Sequence, residues 1–196
     1  MSIELAFATN NTHKLTEAAE ILKDVATLRS LTDVECDAEI PETANTLHGN
    51  ALLKAEYVFQ RTGLPVFADD TGLEIEALGG APGVYSARYA GENHDSAANI
   101  RKVLQRMQGA TDRRAQFRTV IAYIPTDGQP AFFEGIVRGV ITKEPRGEAG
   151  FGYDSIFIPD GYNLTFAEMD AATKNHISHR ARALQAFLLE ISHRMV

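Results

Sequence analysis

The sequence contains a single cysteine, Cys36, among its 196 residues. One cysteine cannot form an intramolecular disulfide, and no second one is present to build a zinc knuckle. No apolar run approaches the roughly 20 residues that a membrane-spanning helix requires. The first residues lack the basic region of a signal peptide and instead predict a strand that starts at Ile3. These absences together predict a cytoplasmic protein that does not associate with a membrane.

The sequence also has no excess of positive charge. The chain has 19 lysines and arginines against 26 aspartates and glutamates, and its net charge is −7. Such a field does not attract a nucleic-acid polymer or an anionic membrane, so we expect neither as a partner. A small phosphorylated ligand needs only a few local cations, and each basic residue is therefore informative by its position.

Apolar periodicity predicts helices that alternate with strands along most of the chain. The predicted strands are 3–8, 26–31, 66–68, 73–77, 115–124 and 131–141, and the predicted helices are 11–24, 46–61, 94–107 and 178–194. Gly63 is predicted to stop the second helix, and a turn at 125–128 to join the last two strands into a hairpin. No repeat, low-complexity tract or linker divides the chain. This order predicts one α/β domain, residues 1–196, with a sheet of mixed direction.

Two adjacent carboxylates, Asp69 and Asp70, directly follow the predicted strand 66–68. Folding gains little from such a pair, because nearby like charges repel. Mg²⁺ would favour it, since this ion takes oxygen ligands and is often held by one or two carboxylates plus substrate phosphates. The alternative is a strand followed by an Asx turn or a helix cap. On these residues alone both interpretations stay open.

Two predicted helices begin with basic side chains. Lys14 falls in the first turn of the first helix. In the last helix, His179 and Arg180 follow Ser178, the predicted N-cap. The helix dipole disfavours cations at this end, whereas a bound phosphate would accept the free N–H groups and pair with the cations. Two such starts favour a phosphate ligand over the alternative, in which the cations are simply solvated.

The loop 150–154 places Phe151 and Tyr153 next to glycines and ahead of an apolar run. Such a loop can offer a ring face to a nucleotide base, and stacking of this kind contributes roughly 1–3 kcal/mol in nucleic-acid sites. The alternative is that both rings pack on the edge of the core. Lys174, just before the last helix, is a further candidate contact to a phosphate or a base.

Five segments, in the same order, together resemble the noncanonical purine NTP pyrophosphatases, the inosine and xanthosine triphosphate diphosphatase family. They are FATNNTHK (7–14), NALLKA (50–55), FADDTGLEIEALGGAPGVYSARYAG (67–91), GFGYDSIF (150–157) and TFAEMDAATKNHISHRARAL (165–184). The resemblance implies an elongated mixed β-sheet flanked by helices, with a nucleotide cleft between two lobes, and a homodimer. It also implies Mg²⁺-dependent hydrolysis of ITP, dITP or XTP to the monophosphate and pyrophosphate.

The resemblance further implies a role for individual residues. Asp70 matches the essential acid, described as general base and metal-site residue, and Glu42 matches the metal-binding glutamate. Asp69 is expected to support the metal site, although only one of two consecutive strand residues can face it, and we expect that one to be Asp70. The residues matched to substrate contacts are Thr9, Asn10, Asn11, Thr12, His13, Lys14, Lys54, Thr71, Phe151, Gly152, Tyr153, Asp154, Lys174, His179 and Arg180.

The chain departs from the family pattern at a few positions. Gly49 stands where relatives often have a glutamate, so that any metal contact from this position must fall to Glu42 or Asp69. His13 stands where a glycine is frequent, which makes the shape of the phosphate turn less certain. Two other functions stay open, a pyrophosphatase for other modified nucleotides and a nucleotide sensor without catalysis. The presence of Asp70 together with Lys14 argues against the sensor, because a pure binder needs no base.

Overall fold

The computed structural model describes residues 3–36 and 40–193. The strands in these ranges are β1 (Ile3–Phe7), β2 (Ala26–Arg29), β3 (Val66–Ile75), β4 (Pro82–Gly83), β5 (Arg114–Ile124), β6 (Ala131–Ile141) and β7 (Phe157–Pro159). The helices are α1 (Thr12–Leu22), α2 (Leu47–Thr62), α3 (Ser96–Arg106), α4 (Ala171–Ile177) and α5 (His179–His193). The predicted end of the last helix at residue 194 lies outside the described residues. None of these helices is long and apolar enough to cross a membrane.

The strands form one sheet in the order β2-β1-β3-β5-β6-β7, with β4 paired to β3. β1 runs parallel to both β2 and β3, whereas the β3–β4 and β6–β7 pairs are antiparallel. The predicted mixed α/β fold is therefore confirmed.

Local signals explain where the first helices begin and end. The Asn11 side chain caps α1 and accepts from the backbone N–H groups of His13 and Lys14. Thr46 caps α2 in the same way. Gly63 ends α2 in the left-handed conformation, at φ 66°, and donates its N–H to Phe59 O at 2.8 Å. The predicted stop at Gly63 is confirmed.

Within the described ranges the chain forms two compact units, each assembled from separate segments. The first unit comprises residues up to Asp70, 119–135 and residues from Arg180 onward. Its apolar core includes Phe7 and Phe67, whose rings stack with centroids 4.2 Å apart. The second unit comprises 71–118 and 136–179. Its core packs β5 against the loops around β7 and contains Phe117, Phe157 and Phe166.

Two sequence predictions about elements are wrong. β3 is one strand of ten residues, so the chain does not end a strand or form an Asx turn at Asp69 and Asp70. The strand continues because Lys14 and Arg180 compensate Asp69 and Asn50 donates to Asp70. Gly72 also lets β4 approach, since a Cβ at Gly72 would lie 2.7 Å from Gly83 O. The short helix α4, which carries Lys174, was not predicted. Asp170 caps it, but seven residues are too few for apolar periodicity to show.

Candidate active site

Asp69 lies in β3, is 1% exposed, and pairs with two cations. Lys14 Nζ donates to its Oδ1 at 3.0 Å, and Arg180 Nε donates to its Oδ2 at 3.1 Å. Arg180 Nη1 also donates to Glu17 Oε2. Burial alone would raise the pKa of Asp69, but the charges of Lys14 and Arg180 outweigh burial and hold that pKa well below its usual range. The cations lie in the first turns of α1 and α5, as predicted, but they are not solvated.

Asp70, the next residue of β3, faces a different set of side chains. Its Oδ2 accepts from Asn50 Nδ2 at 3.2 Å, and its Oδ1 lies 3.9 Å from Lys54 Nζ. The same ammonium donates to Glu42 Oε1 at 2.5 Å. Asp69 and Asp70 therefore have separate partners, in agreement with the alternation of side chains along a strand.

The surroundings of Asp70 disfavour its charged form. Burial raises the pKa of Asp70, and the nearby Glu42 charge adds to this effect, while Lys54 opposes it without cancelling it. The pKa of Lys54 is raised, because the attraction of Asp70 and Glu42 outweighs the opposing effect of burial. Because Asp70 is buried and Glu42 lies nearby, a cation bound between these two carboxylates would be favourable.

The side chains around Asp69 and Asp70 form one charged group. Its carboxylates and cations are Glu17, Glu42, Asp69, Asp70, Lys14, Lys54 and Arg180. All seven lie in the first compact unit.

The turn between β1 and α1 contains the predicted phosphate contacts Thr9 to Lys14. Asn11 caps the helix, and its Oδ1 accepts from the N–H groups of His13 and Lys14 at 3.0 and 3.2 Å. These two N–H groups are therefore already bonded to Asn11, and the phosphate contacts of this turn stay a prediction. Thr9 Oγ1 accepts from Asn11 N at 3.1 Å, which fixes the turn. Asn10, Thr12 and His13 are exposed.

A second group of predicted substrate-binding residues lies in the second unit. Lys174 Nζ donates to Asp154 Oδ2 at 2.9 Å, and both side chains are buried. The same carboxylate oxygen accepts from the Phe151 N–H at 2.8 Å, and Lys174 Nζ lies 4.9 Å from the centroid of the Phe151 ring. The half-buried Phe151 and Gly152 are thus held by the buried pair behind them. Thr71, half-buried, directly follows Asp70 in β3.

Two predicted substrate contacts are core residues of this unit. Tyr153 is 5% exposed, and its hydroxyl donates to Ser86 O at 2.7 Å. Burial raises its pKa. The Tyr153 ring thus packs in the core, the alternative that the sequence left open, while its contact with a base stays a prediction. His179 is also buried, with its ring stacked on Phe117 at a centroid distance of 4.6 Å.

Sequence reasoning missed two residues of the first unit, Glu17 and Asn50. Asn50 lies three residues after Leu47, on the apolar face of α2, and a polar side chain on such a face was the available signal. Glu17 lies one turn after Lys14 on α1, but its partner Arg180 is 163 residues away. No local pattern could have shown this contact.

Comparison with known proteins agrees with the geometry. The model of the Ham1 family matches residues 5–190. The chain belongs to the Ham1 family. Among curated Ham1 relatives, the dITP/XTP pyrophosphatase of Porphyromonas gingivalis is 56% identical over 190 residues, which cover 95% of this chain and 97% of the relative. The dITP/XTP pyrophosphatase of Flavobacterium johnsoniae is 47% identical, with coverage of 95% and 96%.

Solved Ham1 structures show the same fold. The Ham1 protein of Staphylococcus aureus superposes with a TM-score of 0.89 at 39% identity, over 97% of this chain and 99% of that one. A Ham1 protein from Coxiella burnetii gives the same TM-score and coverage at 41% identity. The similarity therefore extends over the whole Ham1 fold.

Proposed function

We propose that this chain is a nucleoside triphosphate pyrophosphohydrolase that converts ITP, dITP and XTP to the monophosphate and pyrophosphate. The observation that carries the proposal is Asp70, a buried carboxylate that shares the Lys54 ammonium with Glu42. Relatives with this fold bear the name dITP/XTP pyrophosphatase at up to 56% identity. The activity would remove noncanonical purines from the nucleotide pool.

The reaction is attack of water on the α-phosphorus, with pyrophosphate as the leaving group. Its barrier is largely electrostatic, so positive groups at the phosphate oxygens supply most of the rate. Lys14 and Lys54 are suitable cations, since the buried Asp69 holds Lys14 and the half-buried Glu42 holds Lys54. Asp70 is placed to orient or deprotonate the water, or to hold the metal that activates it.

The residues of the first unit fit Mg²⁺. Among residues 3–36 and 40–193, no cluster of three or more acidic, histidine or cysteine side chains is arranged to hold a metal. Two carboxylates are enough, however, because Mg²⁺ commonly completes its coordination with water and substrate phosphates. Glu42 and Asp70 would hold the ion, and when bound it would neutralise charge on the phosphates. Asp69 is less suitable than predicted, because both of its oxygens already accept from cations.

The base-recognition role belongs to the loop 150–154 and the residues that support it. Phe151 offers a ring face, and Lys174 is fixed behind it by Asp154. A 6-oxo purine presents a carbonyl oxygen where adenine presents an amino group. A fixed donor, such as a backbone N–H of the loop, pairs with the oxygen but not with the amino group, and an unpaired buried donor is costly.

We expect hydrolysis of ITP and XTP with a kcat/KM at least about 100-fold above that for ATP, because sites built around a hydrogen bond strongly reject analogues that cannot make it. The measurement is a substrate panel with Mg²⁺ in which pyrophosphate and phosphate are detected separately. The panel also includes dUTP and a modified pyrimidine triphosphate. Equal turnover of ATP would contradict the selectivity, and preference for a pyrimidine would assign the chain to another class of modified nucleotide.

A second prediction concerns the aromatic loop. Phe151→Ala should raise the KM for ITP roughly 5- to 150-fold, the equivalent of losing about 1–3 kcal/mol of stacking. Tyr153→Phe is the comparison, since it removes only the hydroxyl that donates to Ser86 O. It should lower thermal stability and leave KM nearly unchanged. Equal effects of the two variants on KM would show that Phe151 does not stack on the base.

We propose in addition that the protein is a cytoplasmic homodimer. Support comes from the sequence resemblance and from the single buried cysteine, which suits a reducing compartment. Light scattering coupled to size exclusion gives the mass in solution, and a mass of 21.5 kDa, that of one chain, would refute the dimer.

A further inference from the structure

Asn50 is a fully buried polar residue on α2, and both ends of its amide are bonded. Nδ2 donates to Asp70 Oδ2 at 3.2 Å, and Oδ1 accepts from the Ala44 N–H at 2.9 Å. Burying an amide without partners is costly, so its presence here requires both bonds. The asparagine amide offers a donor to a carboxylate and an acceptor to a backbone N–H at once.

The segment that Asn50 holds is the one that carries Glu42. Ala44 lies two residues after Glu42 and packs against the first turn of α2. A Cβ at Gly49 would come within 2.5 Å of Ala44 Cβ, so only glycine allows this close approach. The close approach at Gly49 and the Asn50–Ala44 hydrogen bond are independent contacts. Each of them holds residues 42–44 at the start of α2.

The contacts that join Asn50, Asp70, Lys54 and the segment 42–44 form a closed network. Lys54 lies one helical turn after Asn50, and its ammonium contacts Glu42 and Asp70. Asp70 thus has Asn50 at Oδ2 and Lys54 nearest to Oδ1. The amide therefore sets the rotation of the Asp70 carboxylate and, through Ala44, the position of Glu42 relative to it.

We propose that Asn50 is a positioning residue that sets the mutual geometry of Asp70 and Glu42 for metal binding and turnover. This inference rests on the proposed function. Asn50 acts through its contacts with Asp70 and Ala44. Loss of its amide lets Asp70 rotate and lets the Glu42 segment move, while the lysines that pair with the phosphates remain. The effect therefore falls on kcat and on metal affinity more than on KM.

The test compares Asn50→Leu with Asn99→Leu in the full chain. Asn99, on α3 in the second unit, is an equally buried asparagine whose amide also bridges two groups, the Ala90 N–H at 2.6 Å and Ala87 O at 3.0 Å. Both variants lose the two hydrogen bonds of a buried amide, and of the two residues Asn50 is the one that contacts Asp70. The readouts are kcat and KM for ITP, thermal unfolding, and binding of Mn²⁺ alone, followed by electron paramagnetic resonance.

Asn50→Leu should lower kcat about 10- to 100-fold and weaken Mn²⁺ binding about tenfold, with KM changed less than about threefold. Asn99→Leu should lose similar thermal stability and keep kcat and Mn²⁺ affinity. Equal kcat losses in the two variants, or an effect of Asn50→Leu on KM alone, would overturn the proposal. If Asn50→Leu does not fold, Asn50→Asp decides, because it keeps the acceptor for Ala44 and places a second carboxylate against Asp70. Its kcat should fall at least tenfold, and wild-type kcat would refute the role.

Failure of the proposed function is recognised separately. If the wild-type protein releases pyrophosphate from neither ITP nor XTP, the proposed reaction is wrong whatever the variants do. The comparison of Mn²⁺ affinity between wild type, Asn50→Leu and Asn99→Leu then decides alone whether Asn50 positions the two carboxylates.

Discussion

Asp70→Asn should abolish pyrophosphate release, with kcat reduced about 10²- to 10⁴-fold, the usual contribution of a positioned acid–base group. The amide has nearly the same shape as the carboxylate, and its oxygen can still accept from Asn50 Nδ2. It cannot take a proton from water and is a poor ligand for Mg²⁺. The measurement is single-turnover hydrolysis of ITP, because this separates chemistry from product release.

The same variant should be more stable than wild type at pH 7 in the absence of divalent metal. The pKa of Asp70 is raised in the folded protein, mainly by burial, so its ionisation disfavours folding. Below the unfolded pKa, near 3.8, Asp70 is protonated in both states and the two proteins should have equal stability. As the pH rises through the folded pKa, wild type loses stability relative to Asp70→Asn.

Loss of both activity and stability would contradict this assignment. It would show that the Asp70 carboxylate stabilises the fold as a charged partner of Lys54. Asp70 would then not be a catalytic group whose burial destabilises the protein. Gain of stability with loss of turnover is the expected signature of a functional residue in an unfavourable environment.

The resemblance and the local sequence signals gave most of the fold and many residues of the candidate site. Gly63 at a helix end and Lys14 in a first turn follow from capping rules that need only neighbouring residues. Asp69 and Asp70 alone left a metal site and a turn both open, and the resemblance to the pyrophosphatase family favoured the metal site. The sequence could not show which side chains pair with each of these two carboxylates. The Arg180–Glu17 pair joins helices at opposite ends of the sequence.

These outcomes have a common physical origin. Asp69 and Asp70 were expected to end a strand, because isolated acids disfavour a buried strand. Tertiary ion pairs reversed this preference, and the strand continues. For Tyr153 the sequence left a ligand-facing and a core-packed ring open, and its hydroxyl donates to a buried backbone acceptor, Ser86 O, that lies 67 residues earlier in the chain. In each case a contact distant in sequence decided the outcome.

Asp69→Asn should strongly destabilise the first unit. Asp69 compensates Lys14 and Arg180, and Arg180 is 3% exposed. Removing one partner of a buried ion pair leaves its charge uncompensated and typically costs about 3–5 kcal/mol. For a chain of this size the melting temperature should fall on the order of 10 °C. Urea unfolding at pH 7, followed by circular dichroism, measures the difference.

The control is Asp112→Asn. Asp112 makes an equally complete pair on the surface, accepting from Arg114 Nε at 3.0 Å and from Nη2 at 2.7 Å. Solvent screens this pair, so its loss should change stability little. Equal unfolding midpoints of Asp69→Asn and Asp112→Asn would show that burial of the Asp69 network contributes nothing to stability.

The pH dependence of Asp69→Asn identifies the charge as the cause. The pKa of Asp69 is lowered in the folded state by Lys14 and Arg180 against the opposing effect of burial. The Asp69 charge therefore contributes its full stabilisation above pH 3.8, near the pKa of Asp69 in the unfolded chain. This stabilisation is lost as the pH falls through the lower pKa of Asp69 in the folded protein. The stability difference between wild type and variant should stay constant from about pH 7 to pH 5 and narrow only below about pH 4. A difference that persists unchanged in acid would assign the loss to packing rather than to the ion pairs, since the amide differs from the carboxylate mainly in charge.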